Sequence, residues 1–169
     1  VREILVIEEK SPNIESLIKD ALYDLSERPL VVDPELVWST YLGGSGSQSD
    51  NAWAVTVGAN GDVTVTGETD WASFPTTPGA FQSTLGARAI FVTRLDAEHG
   101  QLVYSSVIGT GADRPLGIAV DSSGRTAVVG WTKSPSFPVT PGAFDTVKST
   151  NPVGRFSAFV FRLGPEGTT

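Results

Sequence analysis

Few residues in this chain have the type and spacing to do chemistry. His99, in Asp96-Ala97-Glu98-His99-Gly100, is the one imidazole available as a general base or metal ligand. With no cysteine to accompany it, neither a zinc site nor a serine-histidine-aspartate triad has a residue set to draw on. His99 therefore reads as a polar member of a turn between two strands. Asp50 and Asp113 are distinguished by repetition, at an offset of 63 residues, each just ahead of a β-type run. They could ring the mouth of a channel and hold a cation such as calcium, or each could accept hydrogen bonds from its own loop. The second reading is preferred, because a residue repeated in every unit usually belongs to the unit's construction. Lyase or hydrolase chemistry with paired carboxylates would rest on the same two residues and would vanish on their mutation. No catalysis is expected, and no cofactor, with calcium the single alternative.

The tryptophans are the other candidates, since their faces stack on sugar rings or on partner side chains. They are Trp38, Trp53, Trp71 and Trp131, and the residues matching them in the other copy of the repeat are Tyr104, Leu116, Ser134 and Glu68. Lectin sites present in every unit would repeat, and these do not. Trp38 and Trp53 lie in β-type runs and are expected in a core or an interface. Trp71, in the loop Asp70-Trp71-Ala72-Ser73, is the best candidate for an exposed contact, with packing onto the neighbouring proline-rich loop as the alternative. A sugar pocket would have to set Trp71 or Trp131 beside polar groups between adjacent units. The candidate binding residues are thus Asp70, Trp71, Trp131, Asp50 and Asp113. Gly43-Gly44-Ser45-Gly46-Ser47 has neither the lysine nor the helix start of a phosphate cradle and reads as an interstrand loop.

The elements that must position these residues are written twice. Phe74-Pro-Thr-Thr-Pro-Gly-Ala-Phe81 returns as Phe137-Pro-Val-Thr-Pro-Gly-Ala-Phe144, 63 residues later. Two prolines and a glycine at matching places mark a repeated unit. The two Phe residues in both copies imply a loop pinned to its unit. Gly58-Ala59-Asn60-Gly61 and Asp121-Ser122-Ser123-Gly124 match at the same offset and supply hairpin glycines. Short β-type runs lie at 36–42, 52–57, 63–69, 89–95, 102–108, 116–120, 126–132 and 157–163. Each unit therefore holds four antiparallel strands, with the proline-rich loop between its second and third.

Four strands per repeat of about sixty residues fit a β-propeller blade. The stretches Trp38-Ser-Thr-Tyr-Leu-Gly-Gly44, Gly61-Asp-Val-Thr-Val-Thr-Gly67, Phe74 to Gln82 and Ile118-Ala-Val-Asp-Ser-Ser-Gly124 resemble the bacterial SBBP β-propeller repeat, over roughly residues 28–165. The resemblance implies the fold and a secreted or cell-surface location; it implies no reaction. Residues 1–27 depart from it. There Ile4-Leu5-Val6-Ile7 reads as a strand, and Ile14, Leu17, Ile18, Ala21, Leu22 and Leu25 form one helical stripe behind a Ser11-Pro12 cap. The expected architecture is mainly β: two four-stranded propeller blades with an N-terminal strand-helix extension. Its parts are the extension 1–27, an extended lead-in 28–35, an orphan strand 36–42, a blade at about 52–108 and a three-stranded blade at about 116–163.

The orphan strand matches the one that the last blade lacks, so ring closure is expected to join them. Two blades leave flat faces bare, hence either self-association into a ring or further blades in a longer chain. Composition narrows the partners. Of 169 residues 40% are hydrophobic, enough for a core, and 19 acidic against 12 basic residues give a net charge of −7. That charge opposes nucleic acid and anionic lipid. No run is long enough to insert in a membrane, and Val1-Arg2-Glu3 opens no signal region, the first residue implying a processed or trimmed chain. The expected role is structural or adhesive binding of a protein or glycan. The alternatives are a lectin assembled from small subunits and a subunit of a larger extracellular assembly docked through residues 1–27.

Overall fold

The computed structural model describes residues 35–45, 49–70, 72–83, 88–109, 111–148 and 156–167. The chain divides into two units, Val1–Leu36 and Val37–Thr169. The strand and helix expected within residues 1–27, and the lead-in up to residue 34, lie outside the described residues.

The second unit is mainly β, and its described residues form seven strands in two antiparallel sheets. The first sheet is a meander of β1 (Asp50–Val57), β2 (Val63–Thr69), β3 (Ala89–Leu95) and β4 (Leu102–Ile108). The second contains β5 (Asp113–Val120), β6 (Thr126–Thr132) and β7 (Ser157–Leu163), also in chain order. Asp50 and Asp113 are the first residues of strands rather than loop residues ahead of them, because the ladders run on to Asp50↔Thr69 and Asp113↔Thr132. Each ladder is interrupted by a bulge at the same place, Trp53 in β1 and Leu116 in β5, which have no cross-strand partner. Pro115 is tolerated because β5 is an edge strand.

The repeat in sequence is a repeat in packing. The turn after β1 closes with Gly58 N to Asp62 O at 2.9 Å and Gly61 N to Gly58 O at 3.0 Å. The turn after β5 closes with Asp121 N to Arg125 O at 3.0 Å and Gly124 N to Asp121 O at 2.9 Å. Phe74 stacks on Phe91 with centroids 4.7 Å apart, and Phe137 on Phe159 at 4.6 Å. The first Phe of each proline-rich motif thus pins its loop to the third strand. That stack fixes a residue on the second strand. A Cβ on Gly67 would lie 1.9 Å from the Asn51 carbonyl oxygen and 2.6 Å from Phe91 Cζ; on Gly130 it would lie 2.1 Å from the Arg114 carbonyl and 2.7 Å from Phe159 Cζ.

Two apolar clusters result. One joins the sheets, with Ile90, Val92, Tyr104 and Ile108 from the first packed against Val128 and Leu163 of the second. The other covers the far face of the first sheet, where Phe74, Ala89, Phe91 and Val107 receive Leu42 and Val65. Every residue of β3 is buried in consequence, whereas β7 alternates half-buried and exposed residues up to the buried Leu163. The run 36–42, expected as a strand, joins neither sheet. Its composition suits a strand, but a strand exists only where another lies alongside to share hydrogen bonds. It is held by side chains instead: Trp38 Nε1 donates to the Ala97 carbonyl at 3.1 Å, and Leu42 packs on the Phe74 cluster. The described residues contain no helix and no closed sheet.

Candidate binding site at the junction of the sheets

Arg114, the second residue of β5, crosses from the second sheet to the first. Its Nε donates to Glu68 Oε1 on β2 at 2.7 Å. Its guanidinium carbon lies 4.3 Å from the centroid of Trp53 and 5.4 Å from that of Trp131, within the range of cation-π attraction. The β1 bulge leaves Trp53 unpaired and 44% exposed, so an indole face is presented at this junction. Trp131, on β6, meets Phe156 edge-on at 4.1 Å, and Lys133 Nζ stands 4.5 Å over the Phe156 ring. Three aromatic rings are thereby assembled around one guanidinium and one ammonium.

Charge fixes this assembly from beneath. Glu68 is 3% exposed, and a carboxylate so deeply buried needs cations at hand. Arg114 supplies one, and Arg88 approaches Glu68 Oε2 at 3.9 Å. Arg88 is itself held by Asp70 through two hydrogen bonds, of 2.8 and 3.1 Å. The Asp70 carboxylate raises the Arg88 guanidinium above the ordinary arginine value, first by hydrogen bonding and then by its charge. The order Asp70, Arg88, Glu68, Arg114 alternates in sign and spans both sheets. Glu68 and Trp131 occupy the same position in the two repeats, and both meet Arg114, which therefore sits between equivalent points of consecutive sheets.

Of the residues expected to bind, Trp131 lies in this cluster and Asp70 anchors its ion-pair chain; Trp71 lies outside the described residues. Asp50 braces its own loop, whereas the Asp113 carboxylate is bonded across the β5–β6 ladder. Asp50 Oδ2 accepts from Gly44 N at 2.9 Å, and the buried Asp113 accepts from the Thr132 hydroxyl. A Cβ on Gly43 or Gly109 would collide with these carboxylates, at 2.5 and 2.2 Å. Among the described residues no three His, Asp or Glu side chains are grouped to hold a metal ion. His99 is exposed in its turn, 3.6 Å from Asp96. Asp96 caps that turn, and backbone hydrogen bonds, foremost from His99, hold its carboxyl below the ordinary aspartate value.

Arg114, Glu68, Arg88 and Phe156 were not singled out by their sequence positions. One signal was present: Glu68 is a charge within the Val/Thr pattern of β2 and the counterpart of a tryptophan, an exchange that alters what faces the junction. Away from this cluster a concavity of about 330 Å³ opens between the β1–β2 and β5–β6 turns. Arg94 lines it, donating to the carbonyls of Pro165 at 3.3 Å and Gly124 at 2.5 Å, so its groups join turns together. No helix among the described residues is long and apolar enough to cross a membrane. Comparison with models of known protein families gives no match, and comparison with curated proteins gives none.

Proposed function

We propose that this chain is a non-catalytic binding module built of propeller-type blades, structural or adhesive in role, acting at a bacterial surface or after secretion. The blade reading is supported by the repeated turn, bulge, glycine and Phe-on-Phe stack, and by the resemblance to the SBBP repeat. The observation that carries the binding reading is the Arg114 cluster, with partly open Trp53 and Trp131 faces set at fixed spacing by the ion pair of Arg114 with the buried Glu68. Apolar faces with rigid donors beside them are what recognition of a side chain or a sugar ring uses. Two blades are fewer than a ring of four to eight requires, so self-association or further blades complete it.

A second reading, a lectin assembled as a ring of small subunits, is favoured by the position of Trp131. It lies beside Arg114 where consecutive sheets meet, next to polar groups as a sugar pocket there requires. A glycan array and an array of bacterial envelope proteins, probed with the labelled chain, separate the two readings. Capture on glycans supports the lectin, and capture on proteins alone supports the adhesive module. In either case Trp53→Ala and Trp131→Ala are expected to weaken capture about tenfold or more. Undiminished capture by both variants would remove the Arg114 cluster from the function.

A further inference from the structure

The side chains on the open side of the Arg114 cluster are donors and ring faces. None of the five that meet there, Trp53, Arg114, Trp131, Lys133 and Phe156, carries an acceptor atom. Arg114 gives Nε to Glu68, and among the described residues nothing accepts from its two terminal amino groups. The same holds for Lys133 Nζ, which stands over Phe156, and for the indole N–H groups of Trp53 and Trp131. Glu68 is engaged beneath them: 3% exposed, it accepts from Arg114 and faces Arg88. A ligand that answers this surface must therefore bring acceptors.

The charge of the cluster has the same bias. Arg88, Arg114 and Lys133 bring three cations to the junction, and Asp70 and Glu68 are two carboxylates, each already bound to an arginine. Lys133 is left over and exposed, a local positive excess on a chain of net charge −7. Arg114 is also held still. Bonded through Nε and lying 4.3 and 5.4 Å from two indoles, its guanidinium keeps the edge formed by the terminal amino groups at a fixed place, the edge that takes both oxygens of one carboxylate. The contacts run in series from Trp53 to Arg114, Trp131, Phe156 and Lys133, so two rings separate the two cations. Open ring surface lies at both ends of the series, Trp53 being 44% and Phe156 54% exposed.

We infer that the cluster binds an acidic glycan, a chain of uronic-acid sugars. Arg114 takes the carboxylate of one ring whose C–H face lies on Trp53, and Lys133 takes that of a ring further along, beside Phe156. A uronic acid carries an apolar ring face and a carboxylate in one unit, so it meets the indole and the donors together. A neutral sugar brings hydroxyls that donate as well as accept, and its donors find no acceptor among these five side chains. An acidic peptide brings carboxylates on flexible stems without the ring face. A nucleic acid brings the face and the charge, but its phosphates are opposed at long range by the net charge of the chain. The inference rests on the binding reading of the Arg114 cluster and names the class of ligand for it.

Titration calorimetry with short oligomers of galacturonate, of mannuronate and of hyaluronan tests this, each beside the same oligomer with its carboxyls methyl-esterified. At least one acid oligomer is expected to bind, and its ester about tenfold or more weaker, because the ester cannot form charge-assisted bonds. Lys133→Gln, at an exposed site, is expected to weaken the acid oligomer about threefold, the scale of an exposed ion pair, and to leave the ester unchanged. Trp53→Ala should weaken both. Equal binding of acid and ester overturns the inference, as does a Lys133→Gln change that weakens both alike. So does binding of a polyglutamate peptide where no acid oligomer binds, or protein or neutral-glycan capture on the arrays where none of the three acid oligomers binds. In each of these cases the binding reading stands as long as Trp53→Ala weakens what is bound. If nothing binds in a way that Trp53→Ala weakens, the binding reading falls and the inference with it.

Discussion

The loops at 72–83 and 135–148 carry nearly the same motif in different surroundings. Phe74 and Phe137 stack on their sheets almost identically, at 4.7 and 4.6 Å with interplanar angles of 23° and 21°. Seven residues on, the loops part: Phe81 N is bonded to Ser106, while Phe144 stands in solvent. The stack is a property of one sheet and its own loop, whereas the rest of the loop takes its order from a fourth strand. The third strands show the same division. Ile90, Phe91 and Val92 are all buried, while Val160, the counterpart of Val92, is 73% exposed. A sheet of this kind is thus partly self-sufficient and partly finished by what lies beside it.

Truncating the two equivalent phenylalanines breaks the comparison most severely. Phe91 is 1% exposed, with apolar cover on its own face and the second sheet against the other face of β3, so Phe91→Ala should cost about 3–5 kcal/mol, the usual range for a buried phenylalanine. Phe159 is only partly buried, and a cavity at a half-open site is refilled by water and relaxation. Phe159→Ala should therefore cost roughly half as much on the same scale. Urea unfolding of both variants checks this; equal losses would mean that the second sheet is as well covered in solution as the first.

These equivalences were readable in the sequence wherever their cause is local. The hairpin glycines, the alternation within strands and the motif pinned by its first Phe follow from residues close together along the chain, and β2, β3, β4, β6 and β7 begin and end where the sequence places them. What was not readable depends on partners distant in sequence. Leu36 to Leu42 has the composition of a strand but no ladder beside it. Arg114 and Glu68 meet only because two sheets stack, and nothing in their 46-residue separation announces it. Trp53 was expected to fill a core or interface; it lies at the interface but half open, because a bulge, invisible to an alternating pattern, frees it from its ladder.

Gly67 and Gly130 sharpen the comparison in the opposite direction. Here the obstacle to a side chain is a backbone oxygen of the neighbouring strand in the same sheet, at 1.9 Å for Gly67 and 2.1 Å for Gly130. A backbone oxygen cannot rotate away as a side chain can, so the first and second strands would have to part. Gly67→Ala and Gly130→Ala should then each cost about 1–3 kcal/mol, the range for overpacking, and the two losses should match. The same denaturation measurement decides it. Unequal losses would show that the glycine requirement comes from stacking between sheets rather than from within each one.

The smallest expected effect separates the two hairpin turns. Gly58 and Asp121 hold the same place, so at its first residue the second turn carries a carboxylate where the first has glycine; the carboxylate of the first turn, Asp62, stands at its other end and accepts from Ala97 N at 3.2 Å. Asp121 accepts from the backbone N–H of Arg125 at 3.0 Å and of Ser123 at 2.9 Å, and from the side chains of Arg125 and Arg162. Led by the Arg125 backbone bond, these contacts lower its pKa to about 2. A depressed carboxylate stabilises the fold above its unfolded pKa, about 3.9, and the contribution is lost as pH falls towards the folded value. Amide exchange at Gly124 and Arg125 should therefore quicken as pH drops from about 4 to about 2, after correction for intrinsic rates, while exchange at Gly61 changes less. An Asp121 carboxyl that titrates by NMR near pH 4 would show that the hydrogen bonds of the second turn do not hold in solution, and would erase this difference between the turns.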